Sequence, residues 1–402
     1  MGMVRRPSSG ARQYSKEAKI NAIQIQRLET FVFRVPLEKP VVTSFGAMRD
    51  RPAVLVRVSD GDGASGWGEV WCNFPVCGAE HRARLLETVI APMLWEKKFK
   101  RPEQVFEFLA EKTHVLALQT GEAGPLAQVI AGVDIAIWDM VSRREGRTLQ
   151  NMLSDKTVID VPAYASGIHP LGAVDMIARC REIYGHEAFK VKVGFGAEND
   201  LAVIGAVRGS LRVGDRLMLD ANQAWVVDSA MEVLAGIEDL APDWMEEPLA
   251  ADAPRSEWRA LGEATNIPIA GGENVRGADE FSEIINEGVF DVIQPDVSKW
   301  GGITGCLRVA RWALEAGLRY CPHYLGGGIG LVASAHILAA AGGNGLLEID
   351  VNPNPLREAL AQPFPKISGG RFTMPVGSGL GVEPDLDAVK SWLTQRHDII
   401  PK

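Results

Sequence analysis

The segment FKVKVGFGAENDLAVIGAVRGSLRVGDRLMLDANQAW, residues 189–225, holds in one unit the pattern that decides the fold. A short apolar run, FKVKVG (189–194), is followed by a helical pattern and then by a second short run, RLMLD (216–220). Strand, helix and strand in that order mark a crossover between parallel strands. The alternation continues on both sides. VPAYAS (161–166) precedes it, and DWMEE (243–247), PIAGGE (268–273), DVIQPD (291–296), RYCPH (319–323) and LLEID (346–350) follow. Eight such strands over about 190 residues predict an α/β protein with a closed parallel barrel rather than an open doubly wound sheet.

Working outward, residues 22–69 alternate in the β manner through Val32, Phe33, Val54, Leu55, Val56 and Val58, then turn at Asp60-Gly61-Asp62-Gly63 into Gly66-Trp67-Gly68-Glu69. Helical spacing follows from Leu85 to Leu94, from Val105 to Leu118 and from Val129 to Met140. An α+β domain over 21–150 and a barrel over 151–370 are therefore expected, preceded by a flexible basic extension over 1–20. The remainder, 371–402, includes part of a Pro/Gly-rich run (Pro363 to Gly381) and a final short helix, and is expected to return to the first domain.

Composition narrows the function. With 42 Lys+Arg against 51 Asp+Glu the chain is acidic, which disfavours nucleic-acid binding. The five cysteines (Cys72, Cys77, Cys180, Cys306, Cys321) are scattered, without a zinc spacing, and read as reduced thiols. No apolar stretch follows the basic N-terminus, so neither signal peptide nor membrane span is expected, and a cytoplasmic protein is.

Polar residues at strand ends carry the chemistry. Lys192, Asp220, Glu246, Glu273, Asp296, His323 and Glu348 each fall at or near the C-terminal end of a different strand, at separations of 28, 26, 27, 23, 27 and 25 residues. In a barrel those ends converge on one mouth. Asp220, Glu246 and Glu273 repel one another unless a cation sits between them, and hard oxygen donors suit Mg²⁺. Lys190 and Lys192 are two apart in one strand and point the same way. The second cation is expected to favour the neutral, basic form of Lys192. Asp296 is expected to orient the imidazole of His323.

The motifs KVK (190–192), DAN (220–222), EEP (246–248), GEN (272–274), PDVSKWGGITG (295–305), PH (322–323) and LE (347–348) resemble, in order and spacing, the enolase superfamily and within it the mandelate racemase subgroup. The resemblance covers roughly residues 21–385. It implies a modified TIM barrel, (β/α)7β, with an α+β N-terminal capping domain completed by the C-terminal segment. It places one Mg²⁺ per active site on Asp220, Glu246 and Glu273, with Glu247 just behind. It makes Lys192 and the Asp296/His323 dyad bases on opposite faces of a substrate α-carbon, beside Lys190. Glu348 would donate a hydrogen bond to the enediolate. It also implies that loops from the cap close over the mouth.

Plainer readings stand beside these. A strand-end carboxylate is often a cap, His323 alone would pass for a packed core histidine, and His336 in ASAHILAA reads as packed. The run Gly326-Gly327-Gly328-Ile329-Gly330 lacks P-loop and dinucleotide registers and reads as a tight loop beside His323. Substrate contacts are expected from Asn222, from Ser44, Phe45 and Arg49, from Trp71 and Phe74, and from His169, with Ser166 nearby. The expected activity is dehydration of a sugar acid to a 2-keto-3-deoxy acid. The alternative is racemisation or epimerisation of an α-hydroxy acid, which the aromatics Trp71, Phe74 and Trp225 keep open; a non-catalytic binding barrel is the remote one. The expected partner is a small-molecule carboxylate, with no nucleic acid and no membrane, in a homo-oligomer.

Overall fold

Long runs of alternating and β-branched residues build the first sheet. Strands β1 (Ile25–Thr43), β2 (Gly46–Asp60) and β3 (Ser65–Val70) pair antiparallel in that order. This computed structural model describes residues 22–43 and 46–401, so the basic N-terminal stretch, Ser44 and Phe45 lie outside the described residues. Helix Ala123–Arg144 packs on β3 at very close range, since a Cβ at Gly68 would lie 1.9 Å from the Gly132 carbonyl oxygen. Residues with side chains cannot approach so closely, and the glycines permit it. That helix is long and apolar enough to cross a membrane by length and composition, and 83% of its most apolar window is buried inside the protein.

The barrel strands fall where the sequence spacing predicts. They are β4 (Asp160–Ile168), β5 (Ala188–Lys192), β6 (Arg216–Asp220), β7 (Trp244–Glu246), β8 (Ile269–Gly271), β9 (Val292–Ile293), β10 (Arg319–Tyr320) and β11 (Leu347–Asp350), each followed by a helix. Parallel ladders join them in the order β11-β4-β5-β6-β7-β8-β9-β10. No ladder closes the seam from β10 to β11 among the described residues. There the Leu346 N–H donates to Cys321 Sγ at 3.4 Å, and a Cβ at Gly345 would lie 1.9 Å from the Tyr320 carbonyl oxygen.

Strands β12 (Ile367–Ser368) and β13 (Arg371–Thr373) form a hairpin whose second strand pairs antiparallel with the start of β4. The chain then reaches the cap, where β14 (Leu393–Ile399) pairs with β1. The expected final helix is thus corrected to a strand preceded by a single 3₁₀ turn, Lys390–Trp392. The open edge of β1 offers unpaired backbone groups, and satisfying them outweighs weak local helix preference.

Candidate active site

The barrel interior is built in layers of period two. Tyr164, Ala188, Met218, Trp244, Ala270, Val292, Cys321 and Leu346 pack together as one buried apolar cluster, one residue from each strand or its immediate flank. Two residues further along each strand stand Ser166, Lys190, Asp220, Glu246, Gly272, Gln294, His323 and Glu348. Alternation of side chains along a strand makes these the next interior layer, nearer the C-terminal mouth. An apolar floor therefore carries a polar ring. Gly272 breaks the period with φ +134°, and the carboxylate on β8 comes from Glu273 instead.

Within this ring nearly every carboxylate faces a cation. Buried Lys190 contacts Glu246 and lies 2.7 Å from Glu348 Oε1 and 3.5 Å from Asp220 Oδ2. Lys192 Nζ donates to Asp220 Oδ2 at 2.6 Å. His323 Nδ1 lies 2.7 Å from Asp296 Oδ2, and its Nε2 lies 2.6 Å from Glu273 Oε2. Glu348 accepts from Ser166 Oγ at 2.6 Å and from the Tyr324 N–H at 2.8 Å. Gln294 Nε2 and Trp244 Nε1 donate to the second oxygen of Glu246 at 2.7 and 3.2 Å.

Charge states follow from burial and these partners. Burial works against the charge on Lys190, but Glu246 and Glu348 outweigh it and hold the ammonium protonated. Lys192 is likewise raised, because Asp220 outweighs both burial and the neighbouring Lys190. The expectation that Lys190 makes Lys192 neutral is corrected here: the carboxylate at 2.6 Å dominates the second cation. Burial pushes Glu246 up to about 7 and Glu247 up to about 8, with carboxylate neighbours adding to it. Glu348 is held below the usual carboxylate range, because Lys190 and His323 overcome its burial. Here the ionised Glu348 accepts hydrogen bonds from Ser166 and Tyr324, and the expected donation to an enediolate requires its protonated form.

The metal candidates occupy adjacent strands, with Asp220 directly opposite Glu246 in the ladder. Asp220 and Glu246 share Lys190, Asp220 also pairs with Lys192, and Glu273 pairs with Lys299 and His323; among the described residues the three do not gather on a single point as a metal cage would. The donor chemistry nonetheless fits a hard divalent cation. Three carboxylates from neighbouring strands, Asp220 and Glu246 buried and Glu273 largely so, in an excess of acidic groups, are what such an ion neutralises.

Other expected contacts are placed less uniformly. Asn222 has φ +48° and its N–H donates to Asp220 Oδ1 at 2.8 Å. The Trp71 ring lies 5.2 Å from Lys299 Nζ, which itself reaches Glu273 Oε1 at 2.7 Å, so Trp71 borders the site. Phe74 is half-buried, and its carbonyl accepts from Arg82. Arg49 is exposed, whereas Arg51, two residues on, is buried against Asp350 at 3.2 Å. His169 is exposed and its ring packs 5.3 Å from Phe195. Sequence reasoning missed Lys299 and Gln294. Gln294 was findable two residues before Asp296 on the same strand face; Lys299 lies in a loop, where no period applies.

Barrel, cap and polar ring together define an acid/base enzyme class, and the comparisons name it. Residues 173–388 match the family described as enolase C-terminal domain-like, and residues 27–154 match the mandelate racemase/muconate lactonizing enzyme N-terminal domain. The chain belongs to the mandelate racemase/muconate lactonizing enzyme subgroup of the enolase superfamily. It is 48% identical to a mandelate racemase/muconate lactonizing enzyme from Bordetella bronchiseptica RB50, with TM-score 0.87 over 92% of this chain and 99% of that one. It is 29% identical over 381 residues to D-galactarolactone cycloisomerase of Agrobacterium fabrum, covering 91% of this chain and 98% of that protein. Identity to arabinonate dehydratase of Saccharolobus solfataricus is 29%, over 82% of this chain and 87% of that protein. An enolase from Bradyrhizobium complexed with magnesium and mandelic acid aligns at 27% identity and TM-score 0.82, over 94% and 100% of the two chains.

Proposed function

We propose that this enzyme removes the α-proton of a sugar-acid carboxylate and expels the β-hydroxyl as water, leaving a 2-keto-3-deoxy acid. One observation carries the reading. Lys192 ends β5, and Asp296 and His323 lie three residues past the ends of β9 and β10, which are four and three strands away from β5 around the eight. Two proton-handling groups therefore face each other across the mouth.

Lys192, once released from Asp220 and having given up its own proton to solvent, takes the α-proton as the neutral amine. His323, oriented through Nδ1 by Asp296, delivers a proton to the departing β-oxygen, and the resulting enol gains a proton at C3 to become the ketone. Lys190 keeps positive charge beside Glu246 and Glu348 on the ring floor. One Mg²⁺ per site, held by Asp220, Glu246 and Glu273, would supply positive charge against the substrate carboxylate and the enediolate. The relatives named for galactarolactone and arabinonate support an acid sugar as substrate. The same facing groups support a second reading, return of the proton from the opposite face, which inverts the α-carbon. A cytoplasmic homo-oligomer acting on small carboxylates, without nucleic-acid or membrane partners, completes the proposal.

The test is a screen of acid sugars and α-hydroxy acids for 2-keto product and for change in optical rotation, run with His323→Asn in parallel. Turnover to ketone, reduced about 10²- to 10⁴-fold in the variant, is expected. Rotation change without ketone would select inversion, and neither from any acid would sink the proposal.

A further inference from the structure

The glycine run after His323 takes no part in the chemistry above, yet the cap reaches across to hold it. Glu69, buried at the end of β3, accepts the Gly327 N–H on Oε1 and the Gly330 N–H on Oε2, the latter at 2.9 Å. Cβ atoms at Gly326 and Gly327 would lie 3.1 and 2.6 Å from Glu69 Oε1, so the loop must be glycine for the carboxylate to enter. The N–H groups belong to the start of helix Gly328–Ala341, where unpaired donors and the helix dipole favour an anion. From this loop the Tyr324 N–H reaches Glu348 at 2.8 Å, one residue beyond His323.

The grip continues in the residues that follow β3. The Trp71 N–H donates to the Ser298 carbonyl at 3.3 Å, two residues past Asp296. Asn73 Nδ2 donates to the Leu325 carbonyl at 3.1 Å, two residues past His323. Alternate residues 69, 71 and 73 thus hold the loops that follow both members of the dyad, which themselves pair in an isolated bridge past the end of the short β9–β10 ladder.

We propose that Glu69 is a positioning residue that sets the His323 imidazole against Asp296 by fixing the loop behind it, an inference that rests on the proton-transfer role assigned to His323. A carboxylate suits the task because both its oxygens accept. Glu69→Gln keeps the shape but presents an NH₂ to one of the two N–H groups, which loosens the loop.

The experiment compares wild type, Glu69→Gln and Asn73→Ala as full chains. The downfield proton resonance of the His323 Nδ1–H, assigned by its loss in His323→Asn, reports the dyad without substrate. Solvent-deuterium exchange at the substrate α-carbon, resolved by face, reports His323 and Lys192 separately. Glu69→Gln should shift or broaden the resonance and slow the His323 face about tenfold to a hundredfold, with the Lys192 face within about twofold of wild type. Asn73→Ala should move both readouts the same way by less, and decides the matter if Glu69→Gln does not fold. An unchanged resonance in whichever variant folds, or equal loss on both faces, overturns the proposal. Should wild type neither form a 2-keto product nor exchange an α-proton with any acid, the assigned reaction fails, while the resonance still decides whether Glu69 positions His323.

Discussion

His336 shows how a single buried side chain couples the domains to pH. Its Nδ1 accepts the Gln150 N–H at 3.1 Å and its Nε2 faces the Leu380 carbonyl at 3.1 Å, so the neutral ring with its proton on Nε2 satisfies both. Burial pushes this imidazole from 6.5 down to about 4. The unfolded chain therefore binds the proton more readily between those values, and stability that is complete above pH 6.5 is lost as pH falls toward 4. About 2.5 units corresponds to roughly 3 kcal/mol at the acid end. Calorimetric melting between pH 7 and 4.5 should show Tm falling with acid, and His336→Gln should flatten that slope while lowering Tm at pH 7. A variant with the wild-type slope would remove His336 as the cause. The strand-end residues, by contrast, were legible in the chain because period-two alternation and barrel convergence act on Lys190, Lys192, Asp220, Glu246, Asp296, His323 and Glu348 alike. Their charge states were not legible. The partner that dominates Lys192 is Asp220, a neighbour across the ladder, and no spacing ranks that contact above Lys190.

Among the elements, the close seat of helix Ala123–Arg144 on β3 depends on missing side chains. Gly68→Ala would set a Cβ against backbone at Gly132, which neither element can yield without shifting. Overpacking of this kind costs about 1–3 kcal/mol, and more where backbone is the obstacle. Gly205→Ala is the matched control: it lies exposed in helix Ala197–Ser210 with nothing within 4 Å, and should gain up to about 1 kcal/mol. Denaturant melts should move in opposite directions, and a Gly68→Ala protein as stable as wild type would mean the interface slides freely. The same elements mark the limit of sequence reading. Each barrel strand carries its own apolar run and its own following helix, so each is readable locally. LTQRHDI (393–399) carries no such run; it becomes a strand only because the edge of β1, more than 350 residues earlier in the chain, is there to pair with it.

For the whole molecule, the decisive quantity is the charge imbalance at the centre. Asp220, Glu246, Glu247, Glu273, Asp296 and Glu348 face Lys190, Lys192, Lys299 and His323, so acidic groups outnumber basic ones even with the imidazole charged, and the raised Glu246 and Glu247 take up protons to relieve the excess. Burying unbalanced like charge destabilises a fold, and active sites retain such arrangements at the expense of stability. Two consequences follow with opposite dependence on added ion. Without metal, Glu247→Gln should raise stability by about 1 kcal/mol, since Asn274 Nδ2, 2.9 Å from Glu247 Oε1, can still donate to the remaining carbonyl oxygen. With Mg²⁺ at a hundred times its dissociation constant, wild type should gain about 2.7 kcal/mol, and a chelator should reverse the gain. Asp220→Asn should lose most of that gain, because one of the three expected ligands has become neutral. Thermal melts of the three proteins with and without Mg²⁺ separate these effects. Equal Mg²⁺ shifts in wild type and Asp220→Asn would place the ion elsewhere, and no shift in wild type would leave the lysines and the imidazolium as the only balance to these carboxylates.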